Sequence, residues 1–155
     1  MSQEPEMIPR LFLWCENRSH MVRIQTEYQG DLRCTSVHTP SKTELATDAP
    51  VDNQGRGESF SPTDLIATSL GTCMLTTMGI VARTLDIDLT GATVTVDKEM
   101  SNTPPRRINR LIVAIRIPRT TSPENQQRLE NAAHTCPVKR SIHPDIETPT
   151  EFVWG

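Results

Sequence analysis

The stretch SPTDLIATSLGTCMLTTMGIVAR, residues 61–83, decides how the rest of the chain is read. It opens as a helix opens. Ser61 is a good N-cap, Pro62 suits the first helical position, and Asp64 stands at the third, where a carboxylate reaches back to free amides and opposes the positive end of the dipole. A helix over about 62–84 is roughly 35 Å long at 1.5 Å per residue. Its apolar residues, Leu65, Ile66, Leu70, Met74, Ile80 and Val81, spread over more than one face, and most other positions are small. That pattern describes a central buried helix. Its glycines and threonines at 71, 72, 76 and 77 leave room for a second helix or a partner subunit.

No charge occurs from residue 65 to residue 82, a length at which a bilayer span must be considered. Thr68, Ser69, Thr72, Thr76 and Thr77, with Gly71 and Gly79, make the run far less apolar than a typical span, so no membrane is expected. The segment LFLWC, residues 11–15, is too short for a signal core. The four cysteines, 15, 34, 73 and 136, are irregularly spaced, unlike a secreted disulfide scaffold. The expected location is the cytoplasm, where a reactive thiol can cycle.

The whole chain of 155 residues fits one domain. A net charge of -3 and an aromatic share of 4% argue against a phosphate-tracking or base-stacking surface, so no nucleic acid is expected as a partner. Residues 1–20 have no clear period and are read as a loosely ordered arm before a single domain, 21–155. From Met21, MVRIQTEY and LRCTSVH alternate about a turn at Gly30-Asp31, the mark of a hairpin, and a third strand lies near TELAT. After the polar loop APVDNQGRGES and the helix come two more alternating runs, ATVTVDKEM and RINRLIVAIRIP, on either side of Pro104-Pro105. SPENQQRLENAAH is a capped second helix, TCPVKRSIH a short third, and IETPTEFVW a closing strand. Strands and helices in that order make an α+β fold.

Two thiols invite a chemical reading. Cys73, in mid-helix, lacks the dipole stabilisation of a helix N-terminus and reads first as a small buried hydrophobe; to become a thiolate it needs a cation. Cys136 stands before Pro137 at the N-cap of the short helix, with Lys139 and Arg140 beyond it, where orphan amides favour a thiolate; a half-buried cysteine in a basic turn is the plain alternative. His134, Cys136 and His143, even with Cys73, lack the paired spacings of a zinc site, and there is no phosphate loop or nucleophile elbow. No metal or cofactor is expected. Leu70, Met74, Leu75, Met78 and Phe60 either line an apolar mouth near the thiol or form ordinary core.

The run GESFSPTDLIATSLGTCMLTTMGIVA, with HTCPVKRSIHPDI following at a distance, resembles the OsmC/Ohr family, the osmotically inducible and organic-hydroperoxide-resistance proteins. The resemblance covers about residues 21–155. It implies an OsmC-like fold of antiparallel sheets around long central helices in an intertwined homodimer, with two active sites at the subunit interface. By position, Cys73 matches the family's peroxidatic cysteine and Cys136 its resolving cysteine. The implied activity is reduction of organic hydroperoxides, and also of hydrogen peroxide, through a Cys73 sulfenic acid and a Cys73–Cys136 disulfide. A dithiol reductant, a lipoylated protein in the better-known members, restores the pair. The family's activating arginine sits in a G-R-D-G turn; the corresponding turn here, residues 29–33, offers Arg33, with Arg56 as a rival. Where peroxidase members have Asn-Pro-Glu-Gln this chain has Ser61-Pro62-Thr63-Asp64, so Glu58 or Asp64 stands in for the orienting carboxylate. The alternative within the same resemblance is a non-peroxidase protein that binds a small molecule or senses redox state. Cys34 has no counterpart.

Overall fold

Three strands, a long helix, two strands, two further helices and a last strand follow one another in the order read from the sequence. The computed structural model describes residues 21–155; the expected arm over 1–20 and Cys15 lie outside the described residues. The chain divides into two units, one ending at Ala46 and the other running Thr47–Gly155.

In the first unit β1 (Ile24–Gly30), β2 (Arg33–His38) and β3 (Thr43–Asp48), whose end passes into the second unit, lie side by side in that order. β1 and β2 pair antiparallel from Ile24↔His38 to Tyr28↔Cys34. Their turn places both Asp31 and Leu32 at positive φ, 49° and 61°. Such a turn matches strand twist, but leucine adopts it unwillingly. The Leu32 N–H donates to the Tyr28 hydroxyl at 3.2 Å and helps hold it there.

In the second unit α1 (Pro62–Thr84) packs on a sheet of β4 (Thr93–Met100), β5 (Ile108–Ile117) and β6 (Thr150–Trp154), with α2 (Pro123–His134) and α3 (Pro137–Ser141) between β5 and β6 in sequence. β4 and β5 are antiparallel, whereas β6 runs parallel to β5, from Val113↔Thr150 to Ile117↔Trp154. This sheet is therefore mixed, not purely antiparallel. The two helices between β5 and β6 act as a crossover, which returns the chain to the end where β5 began. Leu111, Val113, Ile115 and Ile117 alternate inward from β5 and meet Leu70, Met74 and Met78 of α1 and Leu129 and Ala133 of α2 in one core. Leu70, Met74 and Met78 are fully buried, so they are core and line no apolar mouth.

At Gly71 the sheet comes closest to α1. A Cβ there would lie 3.0 Å from Val96 Cγ2 and 3.1 Å from Val94 Cγ1. At Gly71 the small residue thus admits a strand, while α2 also packs on α1 as the second helix expected there. The hydroxyls of Thr68, Ser69, Thr72, Thr76 and Thr77 donate back to carbonyls one turn earlier, so the stretch without charge leaves few side-chain polar groups unsatisfied. By length and composition α1 is apolar enough to cross a bilayer. One face of it, with Leu70, Met74 and Met78, packs on β4, β5 and α2, and Ile66 and Ile80 are exposed on its outer side.

The start of α1 is capped as expected and braced by a residue the sequence reading passed over. Ser61 and Asp64 form a reciprocal capping box, with Ser61 N–H donating to Asp64 Oδ2 at 2.7 Å and Asp64 N–H to Ser61 Oγ at 3.1 Å. Lys98 Nζ, on the inner face of β4, donates to Asp64 Oδ1 at 2.6 Å and Thr63 Oγ1 at 2.9 Å. Burial pushes the Asp64 carboxyl up, but Lys98 and the Ser61 amide outweigh it and hold it below the ordinary carboxylate range. A lowered folded pKa stabilises the protein above the unfolded value, and this contribution is lost as pH falls through the folded value. Because the Asp64 side chain is 39% exposed, its pairing is screened by solvent. Asp64→Ala is therefore expected to cost only about 1 kcal/mol near neutral pH, cap included. Urea denaturation of the two proteins should give curves that converge as the pH falls below roughly 4; a gap that persists undiminished in acid would refute the ionic part of this account.

Candidate active site

Cys73 lies midway along α1, half-buried at the edge of the core, and its carbonyl accepts the Thr77 hydroxyl at 3.0 Å. Cys136 is fully buried and caps α3, its sulfur accepting the Lys139 N–H at 3.4 Å. Pro137 at the first position of α3 keeps Cys136 extended, with φ −60° and ψ 145°, so the sulfur turns back over the helix start. Two cysteines far apart in sequence are thereby brought together: their side chains are within hydrogen-bonding reach, and both are free thiols.

The pairing reverses the local expectation for Cys136. Burial pushes its thiol up, and the neighbouring Cys73 sulfur acts in the same direction. The amides of Lys139 and Val138 pull the other way without prevailing. Burial thus favours the neutral thiol at Cys136, despite the helix amides that cap it. A short helix can cap a sulfur without ionising it when that sulfur is shut away from water. Lys139 also reaches His134, Nζ to Nδ1 at 3.2 Å, and burial, followed by the lysine charge, holds His134 below the usual histidine range.

The other expected residues are distributed as follows. Arg33 opens β2 in the first unit and is half-buried. Arg56 and Glu58 are exposed in the loop before α1, and the Glu58 N–H donates to Oδ2 of the buried Asp48 at 2.9 Å. Glu58 and Phe60 border a cleft of about 870 Å³ between α1 and β4, which Cys73 does not line. Asp64 is engaged by Lys98 and its own cap, so its carboxylate is not free to orient an arginine. Lys98 and Asp48 are the site-region residues that sequence reasoning missed. The alternation of β4 held the signal for Lys98, since it places that lysine on the inward face with Val94 and Val96. Among the described residues, no three His, Cys, Asp or Glu side chains gather closely enough to hold a metal ion.

A second cleft, of about 800 Å³, lies between α1 and α3, and neither cysteine lines it. Thr63, Ile66 and Ser69 line it from α1, and the next residue along that stripe is Cys73. Pro137, Val138 and Ser141 of α3 form the opposite side, and Ile108, Ile142 and Ile146 complete an apolar wall.

The sequence model of the OsmC-like protein family matches residues 55–151. Among solved structures, a Psychrobacter arcticus protein named for osmotic stress induction and detoxification response is 48% identical, covers 85% of this chain and 96% of its own, and superposes with a TM-score of 0.81. An OsmC organic hydroperoxide resistance protein from Legionella pneumophila, 19% identical, covers 87% and 98% with a TM-score of 0.67. A Vibrio cholerae protein named for organic hydroperoxide resistance, with captopril bound in one of its active sites, is 20% identical and covers 88% and 95% with a TM-score of 0.67. A comparison with curated proteins returned no match. With its family model matched from 55 to 151 and a 48% identical relative spanning most of its length, the chain belongs to the OsmC-like family and has the OsmC/Ohr fold.

Proposed function

We propose that the protein is a thiol-dependent peroxidase that reduces organic hydroperoxides with Cys73 and Cys136. The observation that carries this reading is the approach of two free thiols from α1 and α3, that of Cys136 fully buried. The Cys73 thiolate attacks the outer oxygen of the hydroperoxide, the O–O bond breaks, and Cys73 becomes a sulfenic acid. Cys136 gives its proton to the departing alkoxide, which leaves as the alcohol. The Cys136 thiolate so formed attacks the Cys73 sulfur and displaces hydroxide, closing the disulfide. A dithiol, free or as the lipoyl group of a protein, returns both thiols by exchange.

Two further features belong to the reading. The exposed Ile66 and Ile80, on the stretch of α1 from 65 to 82 that carries no charge, favour a homodimer that covers this side of α1. Arg33 and Glu58 are proposed, from their positions in the sequence alone, as the counterparts of the family's activating arginine and its orienting carboxylate. The protein is taken to work in the cytoplasm on residues 21–155 as one functional domain.

The test is intact-mass spectrometry of reduced protein given one equivalent of an alkyl hydroperoxide. Wild type is expected to lose two hydrogens, and Cys136→Ser to retain one added oxygen on Cys73. If wild type instead accumulates oxygen adducts without forming the disulfide, Cys136 is not the resolving thiol.

A further inference from the structure

Lys139 serves Cys136 twice, and only one of the two services belongs to an ordinary helix cap. Its N–H donates to the Cys136 sulfur at 3.4 Å, while its side chain turns back across the corner between α2 and α3 and donates from Nζ to His134 Nδ1 at 3.2 Å. An ammonium group has no acceptor, so the ring nitrogen supplies the lone pair, and the bond exists only while His134 is neutral. The ring is held from its other side as well. It meets Phe152 of β6 edge-on, with centroids 5.5 Å apart, and one turn earlier on α2 the Glu130 carboxylate accepts the Trp154 Nε1–H of the same strand at 3.0 Å. Through His134 the first turn of α3 is tied to the sheet.

The tie matters because α3 has five residues. A helix that short has little stability of its own and keeps its shape through its caps and contacts. The Lys139 amide that steadies the Cys136 sulfur is steadied in turn by where the Lys139 side chain is held.

We infer that His134 is a positioning residue for the resolving step: neutral, it anchors Lys139 and so holds the start of α3, and with it the Cys136 sulfur, toward Cys73; protonated, it lets go. The inference rests on the peroxidase reading for the role of Cys136 as resolving thiol. Protonation fills Nδ1 and sets two cations where a hydrogen bond had been. Among the described residues, Glu130 is the charge that favours the protonated ring, and its carboxylate is engaged by Trp154. β6 presents the uncharged Phe152, and α1, packed on α2, carries no charge from 65 to 82. Burial first and the Lys139 charge second keep His134 below the ordinary histidine range. The tie therefore holds at neutral pH and is lost only as the pH falls below about 6.5.

The experiment follows resolution without a peroxide, in full-length reduced protein carrying Cys15→Ser and Cys34→Ser so that only the pair remains. Dithiodipyridine is the probe. The Cys73 thiolate opens its S–S bond and releases one thiopyridone; the Cys136 thiolate then attacks the Cys73 sulfur of the mixed disulfide and releases a second, which takes up the proton Cys136 has lost. Both releases are read by stopped-flow absorbance. His134→Asn keeps an amide oxygen as acceptor but does not titrate. Its second release should match that of His134 protein at about pH 7.5 and be roughly three- to tenfold faster at about pH 5, the scale of one net hydrogen bond. His134→Leu, which offers no acceptor, should slow the second release by a similar factor at about pH 7.5 and leave the first unchanged. In a Lys139→Met background, which has no ammonium to hold, His134→Asn should change nothing at either pH.

A ratio of the Asn to the His protein that stays at one across the range, or falls below one because the ring's charge helps Cys136 ionise, overturns the inference. So does a His134→Leu protein that resolves at the wild-type rate. If the His134 protein releases only one thiopyridone, Cys136 does not resolve, and the inference falls together with the reading it rests on. If every expected shift appears but alkyl hydroperoxide leaves the thiols unoxidised, the tie stands and the peroxidase reading falls.

Discussion

Cys73→Ser is expected to slow hydroperoxide consumption by roughly a thousandfold or more, the scale on which removal of a nucleophile is felt. The size of the effect follows from what is left behind. Cys136 remains, but burial and its neighbour hold it as a thiol, and a protonated, fully buried sulfur is a poor nucleophile with little access to peroxide. Cys34, half-buried on β2, belongs to the other unit. Cys136→Ser, in contrast, keeps an O–H proton donor at that position and should leave the first oxidation of Cys73 nearly as fast as in wild type, since only the disulfide-forming step is lost. Stopped-flow mixing with an alkyl hydroperoxide, read by loss of titratable thiol, separates the two variants. A Cys73→Ser protein that consumes peroxide at the wild-type rate would move the nucleophile elsewhere and end the present reading.

That prediction depends on a ranking of the two thiols that local sequence could not supply. Read one at a time, Cys136 had every advantage: a helix N-cap, orphan amides and basic neighbours. What the window around it does not contain is depth. The same Pro137 that fixes the cap geometry helps to seat the sulfur at the edge of the core, where desolvation outweighs the amides. The contact with Cys73 is a property of how α1 and α3 pack, which no spacing rule encodes.

Local signals were better guides where local forces decide. The Ser61–Asp64 box and Pro62 start α1 where the residues said it should start, because capping involves atoms within one turn. Period-two alternation located β4 and β5, and the inward side of β4 even contained the lysine that braces the cap. It was silent on the direction of β6, since alternation is the same in parallel and antiparallel strands. It was silent too on which apolar residues of α1 would be core and which would border a cleft. Leu70 and Met74 went inward while Ile66 stayed half open beside α3, and only the placement of the sheet chose between them.

Leu70→Ala should show how much of the site rests on that choice. Leu70 is fully buried, and it sits on α1 between Ile66 of the cleft and the turn that carries Cys73 and Met74. Truncation removes buried hydrocarbon and leaves a void that a helix pinned on β4 at Gly71 and capped at Ser61 has little freedom to close. The expected loss is about 2–5 kcal/mol, with the upper half favoured by that rigidity. Urea denaturation at fixed protein concentration should show the midpoint falling with an unchanged slope, the sign of lost native-state packing. The void lies near a thiol that must meet its partner, so disulfide closure after Cys73 oxidation should slow as well. If stability drops by less than about 1 kcal/mol, the helix must be able to settle into the gap. The close seat of Gly71 on Val94 and Val96 would then not fix the height of α1 above the sheet, and the approach of Cys73 to Cys136 would have to be secured from α3 instead.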